Sequence, residues 1–238
     1  MIIFIISLFG VITFLLYWLF MSPYSKVFGA FPYKKVNETK KVIALTFDDG
    51  PNEPYTSEIV DYLDSRNIKA TFFQVGKAVK QEPKLTKRMY DTGHVIGNHS
   101  QSHSFLKYFT QPSFRTELQE SQAEFKQVLG KEPALFRPPW LFRTPLLLRS
   151  AKNMGLFPVS GLFCNNLEVF HVSPEKIAKT AVTRARPGGI LIFHDGYNGK
   201  GAARKETVES VKHTVSALRA DGYTFVTVDQ LFGIKPYK

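Results

Sequence analysis

Cysteine is nearly absent: Cys164 is the single one in 238 residues, which excludes an internal disulfide framework and the Cys₄ and Cys₂His₂ zinc-finger sets. Charge is missing from one end, since no Asp, Glu, Lys or Arg precedes Lys26. There are no internal repeats and no low-complexity tracts. Nor is the chain poor in apolar residues, which make up 44% against 21% charged. A disordered chain is thereby excluded, and the length suits one α/β domain with a tail. Acidic residues are scarce, 20 against 31 basic, for a net charge of +11. That balance implies anionic surroundings, and nucleic acid, acidic lipid or anionic wall polymer would each supply them. Lys77, Lys80, Lys84, Lys87 and Arg88 recur at helical spacing. They read as a solvated helix face, so nucleic acid is not expected as a partner.

The uncharged end reads IIFIISLFGVITFLLYWLFM over residues 2–21. At ~1.5 Å per residue such a helix spans roughly the ~30 Å hydrocarbon core of a bilayer. Tyr17 and Trp18 stand near its end, where amphipathic rings favour the interface. A cleaved signal peptide fits less well, because a basic n-region is missing and the apolar run exceeds the usual ~7–15 residues. The expected organisation is an N-terminal transmembrane anchor over residues 1–21, a tether over 22–40 and one catalytic domain over 41–238. Lys26, Lys34 and Lys35 follow the span, and the positive-inside rule applied to them favours a cytoplasmic domain. The substrate argument below favours the opposite side.

From residue 41 onward the pattern alternates. Short β-branched and aromatic runs fall at 42–47, 70–75, 94–98, 134–137, 157–163, 189–194 and 223–228, and helical periods at 55–67, 77–92, 113–129, 144–154, 173–185 and 204–220. Turn residues such as Asp91-Thr92-Gly93 and Arg186-Pro187-Gly188-Gly189 stop helices before strands, and Ser173-Pro174 starts one with Ser as N-cap. About seven strands separated by helices imply a parallel sheet, either an incomplete barrel or a doubly wound open sheet.

Chemistry-bearing residues gather at the carboxyl ends of these strands, the rim where parallel α/β proteins place their active sites. Asp48 and Asp49 end the first strand, His99 and His103 follow the third, Arg137 ends the fourth and His194 the sixth. On a helical turn, His99 and His103 would face one side and bind one ion. Two His with a carboxylate from a neighbouring strand end make a recurrent open transition-metal set. Asp48 and Asp49 are adjacent, so in extended chain their side chains diverge. One of them can ligate a metal while the other faces the attacking water.

The series TFDDG, HSQSH, RPPW and LIFHDG, in this order, closely resembles the polysaccharide deacetylases, the NodB-homology domain of carbohydrate esterase family four. The resemblance runs from about Lys41 to Phe232. It implies an α/β fold, a distorted and incomplete (β/α) barrel, and the metal-dependent removal of N-acetyl groups from cell-wall or chitin-like glycan. It makes Asp48 the catalytic base, His194 the general acid and Arg137 the residue that holds Asp48. Asp49, His99 and His103 become ligands of one divalent ion, zinc by preference. Trp140 supplies a backbone N–H to the oxyanion and, with Pro139, a wall of the substrate groove. The expected partners are an N-acetylated polysaccharide and, through the N-terminal helix, a membrane, with the protein acting as a monomer. Polymeric wall glycan lies beyond the membrane, which places the domain on the extracytoplasmic side as a single-pass membrane protein.

One motif departs from the family. After the fifth strand the family carries an Asp that orients the catalytic His and a Trp that lines the pocket. The stretch here is VSGLFCNNLE over residues 159–168, without an Asp and with Leu162 or Phe163 in place of the Trp. Asn165 and Glu168 are the alternative supports for His194. The departure keeps two other readings open, a weakened carbohydrate-binding relative and an O-acetyl esterase. Cys164 and His94 read as packing residues. Phe105, Tyr108, Phe142 and Tyr197 are candidates for sugar stacking and core packing alike.

Overall fold

β1 (Val42–Asp48) is apolar along nearly its whole length, and all but its first residue are buried. Burial on both faces is the mark of a central strand in a parallel sheet. In the computed structural model, which describes residues 2–29, 31–170 and 172–238, and only the backbone of residues 2–6, 111 and 169, β1 occupies that centre. Ahead of it lies α1 (Ile2–Phe20). After it come α2 (Tyr55–Ser65), β2 (Thr71–Gln74), α3 (Gly76–Gln81), α4 (Pro83–Asp91), β3 (Val95–Asn98), α5 (Gln111–Leu129), β4 (Leu135–Phe136) and α6 (Pro145–Asn153). The chain continues through β5 (Phe157–Pro158), β6 (Leu162–Phe163), α7 (Pro174–Arg184), β7 (Gly189–His194), α8 (Lys205–Ala220), β8 (Thr224–Val226) and α9 (Val228–Phe232).

The strands pair in the order β5-β4-β3-β2-β1-β7-β6, with β8 beside β1, and every pairing is parallel. The seven-strand path is the expected α/β half-barrel, but the expected fifth strand over 157–163 is broken in two. Its first part, β5, pairs with β4 and its second, β6, with β7, so one short stretch supplies both ends of the path. The turn between them passes close to β7: a Cβ on Gly161 would meet Ile192 Cγ1 at 2.7 Å. That approach requires glycine.

Period-two alternation divides the core. Ile43, Leu45 and Phe47 join the cluster beneath the helices, where Phe47 stacks on Phe72 and Phe193. Ala44 faces the interior with Phe73, Val95, Leu135 and Val159, where Val228 and Leu231 of α9 pack as well. Thr46 and Asp48 share the parity of Ala44, which directs the Asp48 carboxyl inward. The expected helix over 77–92 is divided at Pro83, which has no N–H to continue the α3 ladder and instead starts α4. Ser173 precedes α7 without a side-chain capping bond, whereas Thr144 caps α6 by accepting the Leu147 N–H at 3.1 Å.

The expected helix forms as α1 over Ile2–Phe20, yet among the described residues no helix is long and apolar enough to cross a membrane. The expected transmembrane span therefore has no support from the structure. Residues 22–29 and 31–36 pack on the domain. Ser22, Ser25 and Phe31 are buried. The carbonyls of Pro32 and Tyr33 accept the Ser160 and Ile190 N–H groups, and Lys35 N–H donates to Gly188. This strap lies over the turn that joins β5 to β6.

Candidate active site

Four strand ends supply the site, and their register sets its geometry. β1 and β7 align so that Asp48 stands beside His194. Asn98 aligns with Phe136, which carries His99 and Arg137 to the same level. Asp48, Asp49, His99, His103, Trp140 and His194 all line one cavity of about 390 Å³. Arg137 lies beneath it, fully buried. Its Nη1 donates to Asp48 Oδ1 and to Thr46 Oγ1, both at 2.7 Å. Its Nη2 donates to the Ser160 carbonyl at 3.0 Å and its Nε to that of Val159 at 3.4 Å. The guanidinium rests 4.1 Å from the centroid of Phe73. A planar fork with several donors is needed to serve a carboxylate and the strand junction together.

Asp49 follows β1 in left-handed conformation, φ 77°, and lines the same cavity as Asp48. Asp49 Oδ1 lies 3.0 Å from His103 Nε2 and 3.4 Å from His99 Nε2. The three side chains are buried, and one donor atom from each falls within 4.8 Å of the others. The histidines do not converge on a helical turn. They lie in a loop where Ser100 and His103 adopt φ of 71° and 50°, and Asn98 Oδ1 pins that loop by accepting the Ser100 N–H at 2.7 Å. His99 Nδ1 donates to the Arg137 carbonyl at 2.7 Å, because a carbonyl only accepts. Nε2 is left with its lone pair toward Asp49, the tautomer a metal ligand needs. Burial works against the Asp49 carboxylate, but the charge and hydrogen bond of His103 outweigh it and hold its pKa well below the usual range. This donor set fits one divalent cation.

His194 faces the same cavity. Its Nδ1 lies 3.1 Å from Glu168 Oε2, and its backbone N–H reaches Glu168 Oε1 at 3.3 Å. Thr207 also donates to that Oε1 at 2.8 Å, which fixes the carboxylate. Burial alone would lower the His194 pKa. The hydrogen bond and charge of Glu168 reverse this and raise it to about 9. Of the two alternative supports, Glu168 takes the place, while Asn165 accepts from the Leu167 N–H. Phe163 stacks on the His194 ring at 5.8 Å, nearly parallel. It lines the cavity beside His194.

Trp140 sits in a left-handed turn, φ 55°, and its ring packs against His103 at 4.3 Å and Phe105 at 5.2 Å. Pro139 is buried in that turn, and among the described residues it does not line the cavity. Tyr197 lines the cavity and is exposed, whereas Tyr108 and Phe142 belong to the core. Tyr17 and Met21, at the end of α1, line the cavity too. Nothing in an uncharged apolar run marks them for this. They reach the rim because Arg143 holds the helix end, its N–H donating to the Phe20 carbonyl and its Nη2 to those of Ser22 and Ser25. Gly196 is required next to Asp49, whose carbonyl a Cβ there would meet at 2.4 Å. His94 is structural. Its Nδ1 accepts the Ala70 N–H at 3.2 Å, and burial lowers its pKa to about 4. Cys164 is buried, which pushes its thiol pKa well above the usual value, and it packs as a small apolar residue.

A family model for polysaccharide deacetylase matches residues 35–159, more than half of the chain. The chain belongs to the polysaccharide deacetylase family. A peptidoglycan-N-acetylglucosamine deacetylase of Bacillus cereus is 32% identical over 209 residues, 84% of this chain and 92% of that protein. The peptidoglycan-N-acetylglucosamine deacetylase PgdA of Listeria monocytogenes is 35% identical over 83% of this chain, which spans 40% of PgdA. The crystal structure of the Bc1960 peptidoglycan N-acetylglucosamine deacetylase is similar with a TM-score of 0.78 and 27% identity, over 87% of this chain and 92% of that one. The chain is an enzyme of the deacetylase class to which these relatives belong.

Proposed function

We propose that the chain is a metal-dependent hydrolase that removes N-acetyl groups from cell-wall or chitin-like glycan and releases acetate. The observation behind this reading is the union in one cavity of a carboxylate held by Arg137, an Asp-His-His donor set and a histidine held by Glu168. Asp49, His99 and His103 would hold one divalent cation, and two imidazoles with a carboxylate suit zinc. When bound, the cation supplies Lewis-acid polarisation of the acetyl carbonyl and acidifies the attacking water.

The chain's own groups do the rest. Arg137 engages Asp48 Oδ1, so Oδ2 is the oxygen that takes the proton of the attacking water. As the water oxygen bonds to the acetyl carbon, the Trp140 backbone N–H stabilises the developing oxyanion. His194 Nε2 delivers a proton to the glycan nitrogen while the C–N bond breaks, and acetate and a free amine leave. Exposed Tyr17 and Tyr197 at the mouth offer faces on which sugar rings stack.

Because His194 must be protonated to act, Glu168→Gln should move the alkaline limb of turnover to lower pH by roughly one unit or more. A profile of kcat against pH checks this, and an unmoved limb would remove Glu168 from the site.

Acetate release from chitin oligomers, peptidoglycan fragments and acetylated xylan tests the function. Acetate from the N-acetylated glycans is expected, abolished by chelation and restored by a divalent metal. Release from xylan alone would mean an esterase, and release from none a carbohydrate-binding relative. The proposed location is extracytoplasmic, with α1 fixing the domain to the membrane. Protease added to cells stripped of their wall should digest the domain, and complete protection until lysis would place it in the cytoplasm.

A further inference from the structure

A second cavity, of about 910 Å³, opens where the strap over residues 22–36 meets α6, and its lining shares no residue with the catalytic cavity. The volume is that of a site for a substantial small molecule, ~300–1,000 Å³. Its floor is apolar, made by Phe28, Phe31, Leu148 and Phe157, and its rim carries Lys26, Lys34, Arg149 and Lys152. Among the described residues neither Asp nor Glu lines it. None of these four cations forms an ion pair among the described residues.

An open apolar floor and a ring of like charges are both unfavourable in water, the first through exposed hydrocarbon and the second through repulsion. A single kind of occupant relieves both, an amphiphile with an anionic head and apolar chains. A zwitterionic lipid would cover the floor but bring no net charge. A free anion would neutralise the rim and leave the floor wet. Pro23 and Lys26 place the mouth a few residues past the end of the apolar α1, and Tyr24 and Val27 beside it are exposed.

We infer that this cavity seats an anionic phospholipid, its phosphate among Lys26, Lys34, Arg149 and Lys152 and its acyl chains on the phenylalanine floor. The site is separate from catalysis and does not depend on the deacetylase reading. It also does not need α1 to cross the bilayer, because a lipid seated at the strap would orient the barrel against a membrane surface.

The test uses the full chain in neutral detergent with a fluorescent dioctanoyl-phosphatidylglycerol read by anisotropy. Saturable binding is expected, at least about tenfold tighter than for dioctanoyl-phosphatidylcholine. Arg149→Glu combined with Lys152→Glu should weaken it by at least about tenfold with an unchanged unfolding midpoint. If that pair unfolds the chain, Lys26→Ala with Lys152→Ala serves instead. Equal binding of the two lipids, or unaltered binding by a folded variant, overturns the inference. So does displacement of the probe by glycerol phosphate at the concentrations where lipid displaces it, which would mark a simple anion site.

Discussion

Asp48→Asn is expected to keep about one bound metal ion per chain while turnover falls by about 10²–10⁴-fold, the usual worth of a general base. The neighbouring Asp49→Asn should do the reverse in order of events, losing metal first and activity with it. The difference rests on geometry. Asp48 points into the barrel and is bonded to Arg137, whereas Asp49 turns through φ 77° onto His99 and His103. The Asn replacement at 48 preserves shape and one acceptor for Arg137 but cannot take a proton. At 49 it removes the anion that balances a dication. Metal content after dialysis, set beside acetate release, separates the two. Equal metal loss in both variants would overturn this division of labour.

Much of this arrangement is legible in the sequence because it is local. A strand buried on both faces must be apolar, which makes the run before Asp48 readable, and the catalytic residues follow strand ends at once. The two Asp side chains take different partners, Asp48 meeting Arg137 and Asp49 the two histidines, although the backbone turn at Asp49 leaves both lining one cavity. Glu168 stood beside Asn165 as a candidate, and only the fold chooses between them. Asn165 spends its oxygen on the local Leu167 N–H, while α8 brings Thr207 to fix Glu168. What stays hidden depends on distant partners. Periodicity reads 157–163 as one strand, since it reports burial and not which neighbour a residue pairs with. The spacing of His99 and His103 suggests a helix, but the loop reaches the same convergence through left-handed residues pinned by Asn98. Tyr17 and Met21 are invisible as cavity residues because Arg143, more than a hundred positions later, is what draws them there.

Arg137→Met should cost both stability and turnover, and the stability loss is the larger surprise for a residue assigned to a catalytic motif. Breaking a buried ion pair by removing one partner typically costs ~3–5 kcal/mol, because the remaining charge stays buried and uncompensated. Here the loss extends past Asp48. Arg137 also donates to the carbonyls of Val159 and Ser160, where the chain passes from β5 to β6, so the same side chain orients the base and ties the two ends of the sheet path. Native stabilities of ~5–15 kcal/mol make a loss of this size severe. Arg137→Lys retains a charge near Asp48 but not the fork that reaches both carbonyls, so it should recover only part of the stability. Denaturant titration of the three proteins, with turnover measured well below each midpoint, separates folding from catalysis. If Arg137→Met unfolds at the wild-type midpoint, Arg137 does not tie the barrel. If its folded fraction turns over at the wild-type rate, Arg137 does not orient Asp48.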